Sequence, residues 1–258
     1  MLKNLKRAYS YRLALWKMAV AQLKTKYSGS LLGISWAVIN PLLIMLAVTF
    51  VFRLVFKIEI NNFPLFALAG IFPWMFFSAA LNEVAFSILG QQGLLRQFNL
   101  PREIIPLSSV LANFLNFLIG WILMYPLFLF FNHRVISFLP LLCVVMLLNL
   151  LFICGLGLII SVLNVFFHDI GHLLGVLLMF WFWVTPIFYS AEMVPQGFRW
   201  ILDLNPMAIY VVCYREVVFY GRMPGLSLFT AAAGWAVISA ISGLLVFSKL
   251  ENKLLKHI

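Results

Sequence analysis

Apolar residues recur at Leu2, Leu5, Tyr9, Leu13, Trp16, Val20 and Leu23, in steps of three and four that set them on one stripe of a helix. Lys3, Lys6, Arg7, Lys17 and Lys24 fall largely to one side of that stripe. A helix with an apolar stripe and a basic flank lies in the plane of a membrane surface, its stripe in the acyl boundary and its cations near anionic head groups. Residues 1–28 therefore read as an amphipathic interfacial helix in contact with membrane lipids, with Arg7, Arg12, Trp16, Lys17 and Lys24 as its anchoring residues.

From residue 29 to 258 the pattern becomes a series of long apolar runs separated by short polar ones. Crossing a hydrocarbon layer of about 30 Å takes about 20 residues of helix, and runs near 31–56, 65–89, 104–131, 138–167, 171–190 and 226–247 are expected to span. Gly29 and Gly33 sit at the entry of the first run, where small residues either admit a neighbouring helix or let the chain turn into the bilayer. Pro41 is expected to kink that run. Gly155 and Gly157, and the Gly171–Gly175 spacing, offer close helix contact. Residues 191–222 are the most polar segment of the second half, and within them MAIYVVCY is apolar but too short to cross; 191–218 is the part read as re-entrant. That segment is expected to dip into the membrane and return as short re-entrant helices, which protein-lined backbone permits. The fold class is thus an all-α polytopic membrane protein: one interfacial helix, six transmembrane helices and re-entrant helices in the last outer loop.

Composition agrees, with 64% hydrophobic and 10% charged residues, far from the balance of a soluble domain. The charge of +10 is spread over termini and loops, which suits orientation and lipid contact and argues against nucleic acid. Of the 18 Lys and Arg, seven precede the first run, two lie in 91–106 and three in the tail. The positive-inside rule then places both termini in the cytoplasm. No cleavable signal is expected, because the first long run starts late and is followed by Arg53. Three cysteines, Cys143, Cys154 and Cys213, sit in apolar runs and imply no disulfide framework.

Few residues invite chemistry. Glu83 lies inside a run and must face a bundle interior, a cavity or the inner surface. His168, Asp169 and His172 supply too few ligands for a metal site, and neither metal nor cofactor is expected. The loop QQGLLRQFNLPREIIP, residues 91–106, offers Leu94, Leu95 and Phe98 as an apolar knob with Arg96 and Arg102 beside it. Three large apolar side chains in a cytoplasmic turn favour a docking surface for a partner. Phe180, Trp181, Phe182, Trp183, Phe188 and Tyr189 crowd one end of the fifth run. They read either as an interfacial belt or as flat faces lining a path for sugar rings. No G-x-x-x-x-G-K-[ST] loop occurs, so an energy-driven transporter built on this chain takes its ATPase from a second polypeptide.

The stretch KTKYSGSLLGISWAVINPLL, the loop LLRQFNLPREIIPLSSV, the turn VFFHDI and the segment TPIFYSAEMVPQGFRWILDLNPM together resemble the permease subunit of ABC exporters for bacterial cell-surface polysaccharides, of the O-antigen, capsule and teichoic acid type. Essentially the whole chain takes part, and His168 departs from the family, where an arginine is common. The resemblance implies a homodimer in the cytoplasmic membrane bound to two copies of a separate ATPase, exporting a lipid-diphosphate-linked polysaccharide, with O-antigen the leading candidate. It further implies that Leu94, Leu95, Arg96, Phe98 and Arg102 couple to the ATPase, that Phe180, Trp181, Trp183, Phe188 and Tyr189 are channel-lining candidates, and that 191–218 caps the channel. A drug or small-lipid exporter permease shares most of these features. A membrane-embedded enzyme on lipid-linked sugars fits less well, because the eight acids are scattered.

Overall fold

The computed structural model describes residues 10–55, 57, 60–98 and 100–254; Arg7 and the start of the expected interfacial helix lie outside them. Among the described residues every regular element is helical. In chain order these are α1 (Arg12–Tyr27), α2 (Trp36–Thr49), α3 (Phe63–Gly90), α4 (Gln92–Gln97), α5 (Ile104–Phe131), α6 (Leu139–Phe166), α7 (Ile170–Val184), α8 (Arg199–Leu204), α9 (Pro206–Val218) and α10 (Leu226–Leu254). Five stretches are long and apolar enough to cross a membrane: Gly33–Arg53, Phe63–Gly90, Ile104–Phe131, His133–Phe166 and Leu226–Glu251. The chain is an all-α, multi-pass membrane protein.

The join between α1 and α2 depends on backbone freedom rather than on close packing. Gly29 and Gly33 have φ of 76° and 51°, and a Cβ on either would meet nothing within 4 Å. Left-handed backbone is cheap for glycine, so the chain turns here from α1 into α2. Pro41 is accommodated inside α2, which continues into a π-helical turn over Phe50–Val55.

α3 is the hub of the bundle, buried along most of its length by α2, α5, α6 and α9. The closest helix pair is α6 with α10. A methyl group on Gly155 would collide with Ser239, and one on Gly243 with Gly155. The Ser239 hydroxyl also donates to the Phe152 carbonyl at 2.7 Å. Small residues thus bring two backbones together as in membrane helix pairs generally. Gly157 faces Val84 and Val110, and Gly171 lies against Phe86, whereas Gly175 has no such neighbour. The 171–175 spacing therefore does not act as one contact within the chain.

The fifth apolar run differs most from its expected span. Helix α7 has 15 residues, about 22 Å at the usual rise, and stops at Thr185, whose ψ of 133° is extended. Pro186 follows, and the residue before a proline is pushed out of the helical region. Residues 185–190 continue without regular structure. By contrast, α10 exceeds its expected span, running on to Leu254.

Residues 191–218 contain two α-helices, α8 and α9, and they differ in burial. No residue of α8 is buried. In α9, which holds MAIYVVCY, 11 of the 13 residues are buried, against α3, α6 and α10. An apolar helix too short to cross thus sits with its backbone surrounded by protein, as a re-entrant element requires. Helices α1 and α4 and the end of α10 at Leu254 gather at one end of the bundle, the α1 end, and α8 and α9 lie at the other, the cap end.

Candidate functional site

At the α1 end, α1 presents two faces of different chemistry. Leu13 and Trp16 are exposed, Ala19 is fully buried, and Gln22, Lys26 and Tyr27, further along the face of Ala19, carry polar groups. The Gln22 amide donates to Ser108 Oγ at 3.0 Å. Lys26 Nζ donates to Glu83 Oε1 at 2.6 Å and to Asn113 Oδ1 at 2.9 Å. Asn113 Nδ2 then closes the ring by donating to Glu83 Oε2 at 2.6 Å, and the Tyr27 hydroxyl donates to Asn116. Burial, aided by the Glu83 charge and opposed by the Asn116 bond, holds the Tyr27 phenol above its ordinary pKa, so it stays protonated and able to donate. The polar face of α1 is thus stitched to α3 and α5, while Leu13 and Trp16, with Lys17 and Lys24 also exposed, point away from the bundle.

The Lys26–Glu83–Asn113 ring is the functional-looking cluster that sequence reading did not assemble. Glu83 demanded a partner, because an acid near hydrocarbon is costly alone. Its partner lies 57 positions away, and no local spacing connects the two. Beside the ring, Lys26, Tyr27, Trp36, Asn40, Asn116 and Phe117 help line a cavity of about 430 Å³.

Helix α4 splits the expected apolar knob. Leu95 is 9% exposed and packs inward with Ile88, Ile105, Leu158, Val162, Val165, Phe247 and Leu254. Leu94 and Phe98 remain exposed, Phe98 at 55%. Arg102 donates to the Glu251 carbonyl near the end of α10, so the loop is fastened to the C-terminal helix. Arg96 is part of α4.

The aromatics of α7 separate in the same way. Phe180 and Trp183 are each 63% exposed, on a surface shared with Leu173, Val176, Leu177 and Met179. Trp181 instead donates its indole N–H to Asn205 Oδ1 at 2.7 Å. That amide oxygen also caps α9, accepting from the Met207 and Ala208 N–H groups at 3.0 and 3.2 Å. Phe188 is buried, its ring 5.2 Å from that of Phe52 and 5.4 Å from that of Phe182. The half-buried Tyr189 donates to the Val184 carbonyl at 3.0 Å.

Arg215 of α9 anchors the irregular segment after α7. Its guanidinium donates to the carbonyls of Phe66, Pro186, Ile187 and Tyr189 and lies 3.6 Å from the Phe66 ring centroid. Gly70 supplies the room, since a Cβ there would lie 2.8 Å from the Arg215 terminal nitrogen. Backbone groups that lost their helix partners beyond Thr185 are satisfied by this one side chain.

The turn holding His168 and Asp169 is fixed by Asn164, which accepts from the Gly171 N–H and donates to the Ala85 carbonyl, both at 2.8 Å. Among the described residues, no three His, Cys, Asp or Glu side chains gather as a metal site would need.

A bundle of long apolar helices with a short buried helix at one end and a helix held by polar contacts at the other is the architecture of a multi-pass membrane protein. Residues 14–219 match the ABC-2 type transporter family, and the chain belongs to that family. It is 32% identical over 232 residues to the O-antigen export system permease protein RfbA of Klebsiella pneumoniae, covering 90% of this chain and 89% of that one. With the RfbA protein of Myxococcus xanthus it shares 31% identity over 92% of each chain. With the polysialic acid transport protein KpsM of Escherichia coli the identity is 27%, over 91% of this chain and 92% of the relative.

Proposed function

We propose that the chain is the channel-forming permease of an ATP-driven exporter that moves a lipid-diphosphate-linked polysaccharide, of O-antigen type, across the bacterial cytoplasmic membrane. The observation that carries this reading is similarity along nine-tenths of the chain to permeases named for O-antigen export, with a polysialic acid transporter among the more distant relatives. The chain contains no phosphate-binding loop, so ATP is hydrolysed by a separate subunit, two copies serving a permease homodimer.

The structure offers surfaces that suit each part of this assembly. Leu94 and Phe98 supply an exposed apolar contact for the ATPase. The exposed face of α7 supplies a surface for the second permease or for the channel, with Phe180 and Trp183 as the side chains free to meet sugar rings. In this topology there are six crossings, α7 and residues 185–190 making the fifth, and both termini are cytoplasmic. Helices α8 and α9 close the far side. Deleting the gene tests the reading: surface polysaccharide is expected to disappear while lipid-linked polymer collects inside the cell. Unchanged surface polymer in the deletion strain overturns it.

A further inference from the structure

A cavity of about 420 Å³ opens at the cap end, bordered by Asn61, Asn62, Ser190, Glu192 and Tyr220 over a floor that includes Phe66 and Phe219. Its size falls in the roughly 300–1,000 Å³ range of small-molecule sites. Its border is polar and largely exposed. The Asn61 and Asn62 amides, the Glu192 carboxylate and the Tyr220 hydroxyl hydrogen-bond to no other described residue. Four polar side chains of mixed donor and acceptor character thus converge with their capacity unspent.

Asn62 shows how one of them comes to be available. It is the N-cap of α3, and an asparagine there ordinarily spends its side-chain oxygen on the first helical N–H groups. Here its backbone is left-handed, with φ 51° and ψ 42°, and the side chain makes no cap hydrogen bond. The backbone carbonyl accepts from Leu65 and Phe66 instead, at 2.9 and 3.2 Å. Asparagine tolerates this left-handed conformation better than other side chains do, so the turn into α3 is made without using the amide.

The aromatic part of the cavity is stiff. Phe66 is held beneath the Arg215 guanidinium and meets Phe219 edge-on at 5.6 Å. Phe219 in turn meets Tyr220 at 5.0 Å. Tyr220 is 42% exposed and carries Arg222 at 4.8 Å from its centroid, and Arg222 is itself paired with Glu216. Burial, with Glu216 and Glu192 nearby, raises the Tyr220 phenol, against the opposing pull of Arg215 and Arg222.

Amides and a carboxylate around an exposed aromatic ring match a neutral polyhydroxylated ring, with its array of hydroxyl groups and its flat C–H face. An anionic sugar is disfavoured by Glu192, and a lipid tail by the ring of polar groups. We propose that this cavity is a saccharide subsite, taking one or two neutral sugar units of the polymer as it emerges at the cap end. The proposal rests on the export function above and locates the first sugar contact beyond the membrane.

Purified full-length chain in lipid nanodiscs, examined by saturation-transfer NMR with free mannose, galactose and N-acetylglucosamine, tests it. Asn62→Gly removes the amide while keeping a residue at ease in the left-handed region, and Asn61→Ala removes its neighbour. Wild type is expected to transfer saturation to the ring protons of at least one sugar, and Asn61→Ala/Asn62→Gly to lose at least five-fold of it with an unchanged melting temperature. Glu192→Gln is expected to weaken the signal as well. No transfer to any sugar, or equal transfer in the double variant, overturns the subsite. Complementation of a deletion strain separates the two claims. If the wild-type gene restores surface polymer and the double variant binds sugar as wild type does, the subsite alone falls. If the wild-type gene restores nothing, the export function falls and takes the subsite with it.

Discussion

The Arg215 guanidinium carbon lies 3.6 Å from the centroid of the Phe66 ring, and its N–H groups serve four carbonyls from two separate parts of the chain. A buried cation with this partner set welds α9, α3 and residues 186–189 into one unit. Leucine at 215 strands those carbonyls, each orphaned group costing about 1–3 kcal/mol. Arg215→Leu is expected to lower stability by more than about 3 kcal/mol, a drop on the order of 10 °C in melting temperature for a chain this long. Arg215→Lys is expected to recover only part, since one ammonium cannot reach the same fork of acceptors. Melting of the purified variants in detergent checks this, and an unchanged midpoint for Arg215→Leu contradicts it.

Docking of α1 is expected to depend on the ring formed by Lys26, Glu83 and Asn113. Lys26 and Glu83 are both substantially exposed, so water screens the pair, and their coupling should be about 0.5–1 kcal/mol. A double-mutant cycle with Lys26→Met and Glu83→Gln measures it. Zero coupling means that Gln22 and Tyr27 hold the helix without them.

In α4, neighbouring leucines are expected to behave in opposite ways. Leu95→Ala opens a hole in the inward cluster and costs about 2–4 kcal/mol. Leu94→Asp with Phe98→Asp should change stability by less than about 0.5 kcal/mol, yet abolish copurification with the ATPase, because a charged knob cannot be desolvated in a contact. Retention of the ATPase by that double variant removes α4 from the interface.

How far the sequence disclosed this depends on the range of the interaction. The apolar runs, the short buried helix near MAIYVVCY and the Gly155 contact were legible, since they rest on local length and residue size. The inward turn of Leu95 was not, because Leu94 and Leu95 are chemically alike and only packing against the ends of α3, α5, α6 and α10 separates them. Trp181 and Trp183 pose the same problem. Both read either as belt residues or as flat faces for sugar, but Asn205, 24 residues on, takes the indole of Trp181. The end of α7 at Thr185 was readable from Pro186, although the apolar run continues to residue 189 and suggested a longer helix.

The aromatics therefore yield a sharper expectation than they did as a group. Trp181→Phe deletes one buried hydrogen bond and should cost about 1–1.5 kcal/mol. Phe180→Leu and Trp183→Leu should leave stability within about 0.5 kcal/mol but reduce surface polysaccharide at matched expression, if these exposed rings line the path. Unchanged polymer in both returns them to lipid-facing anchors.

The central claim is that this chain, driven by a separate ATPase, carries lipid-linked polysaccharide through the membrane, and reconstitution tests it most directly. Permease and ATPase are placed together in proteoliposomes whose outer leaflet holds lipid-linked polymer, and polymer reaching the protected lumen is measured with a glycosidase added outside. Protected polymer is expected to accumulate only when permease, ATPase and ATP are all present. Accumulation without the permease, or none with the complete system while ATP is being hydrolysed, contradicts the account.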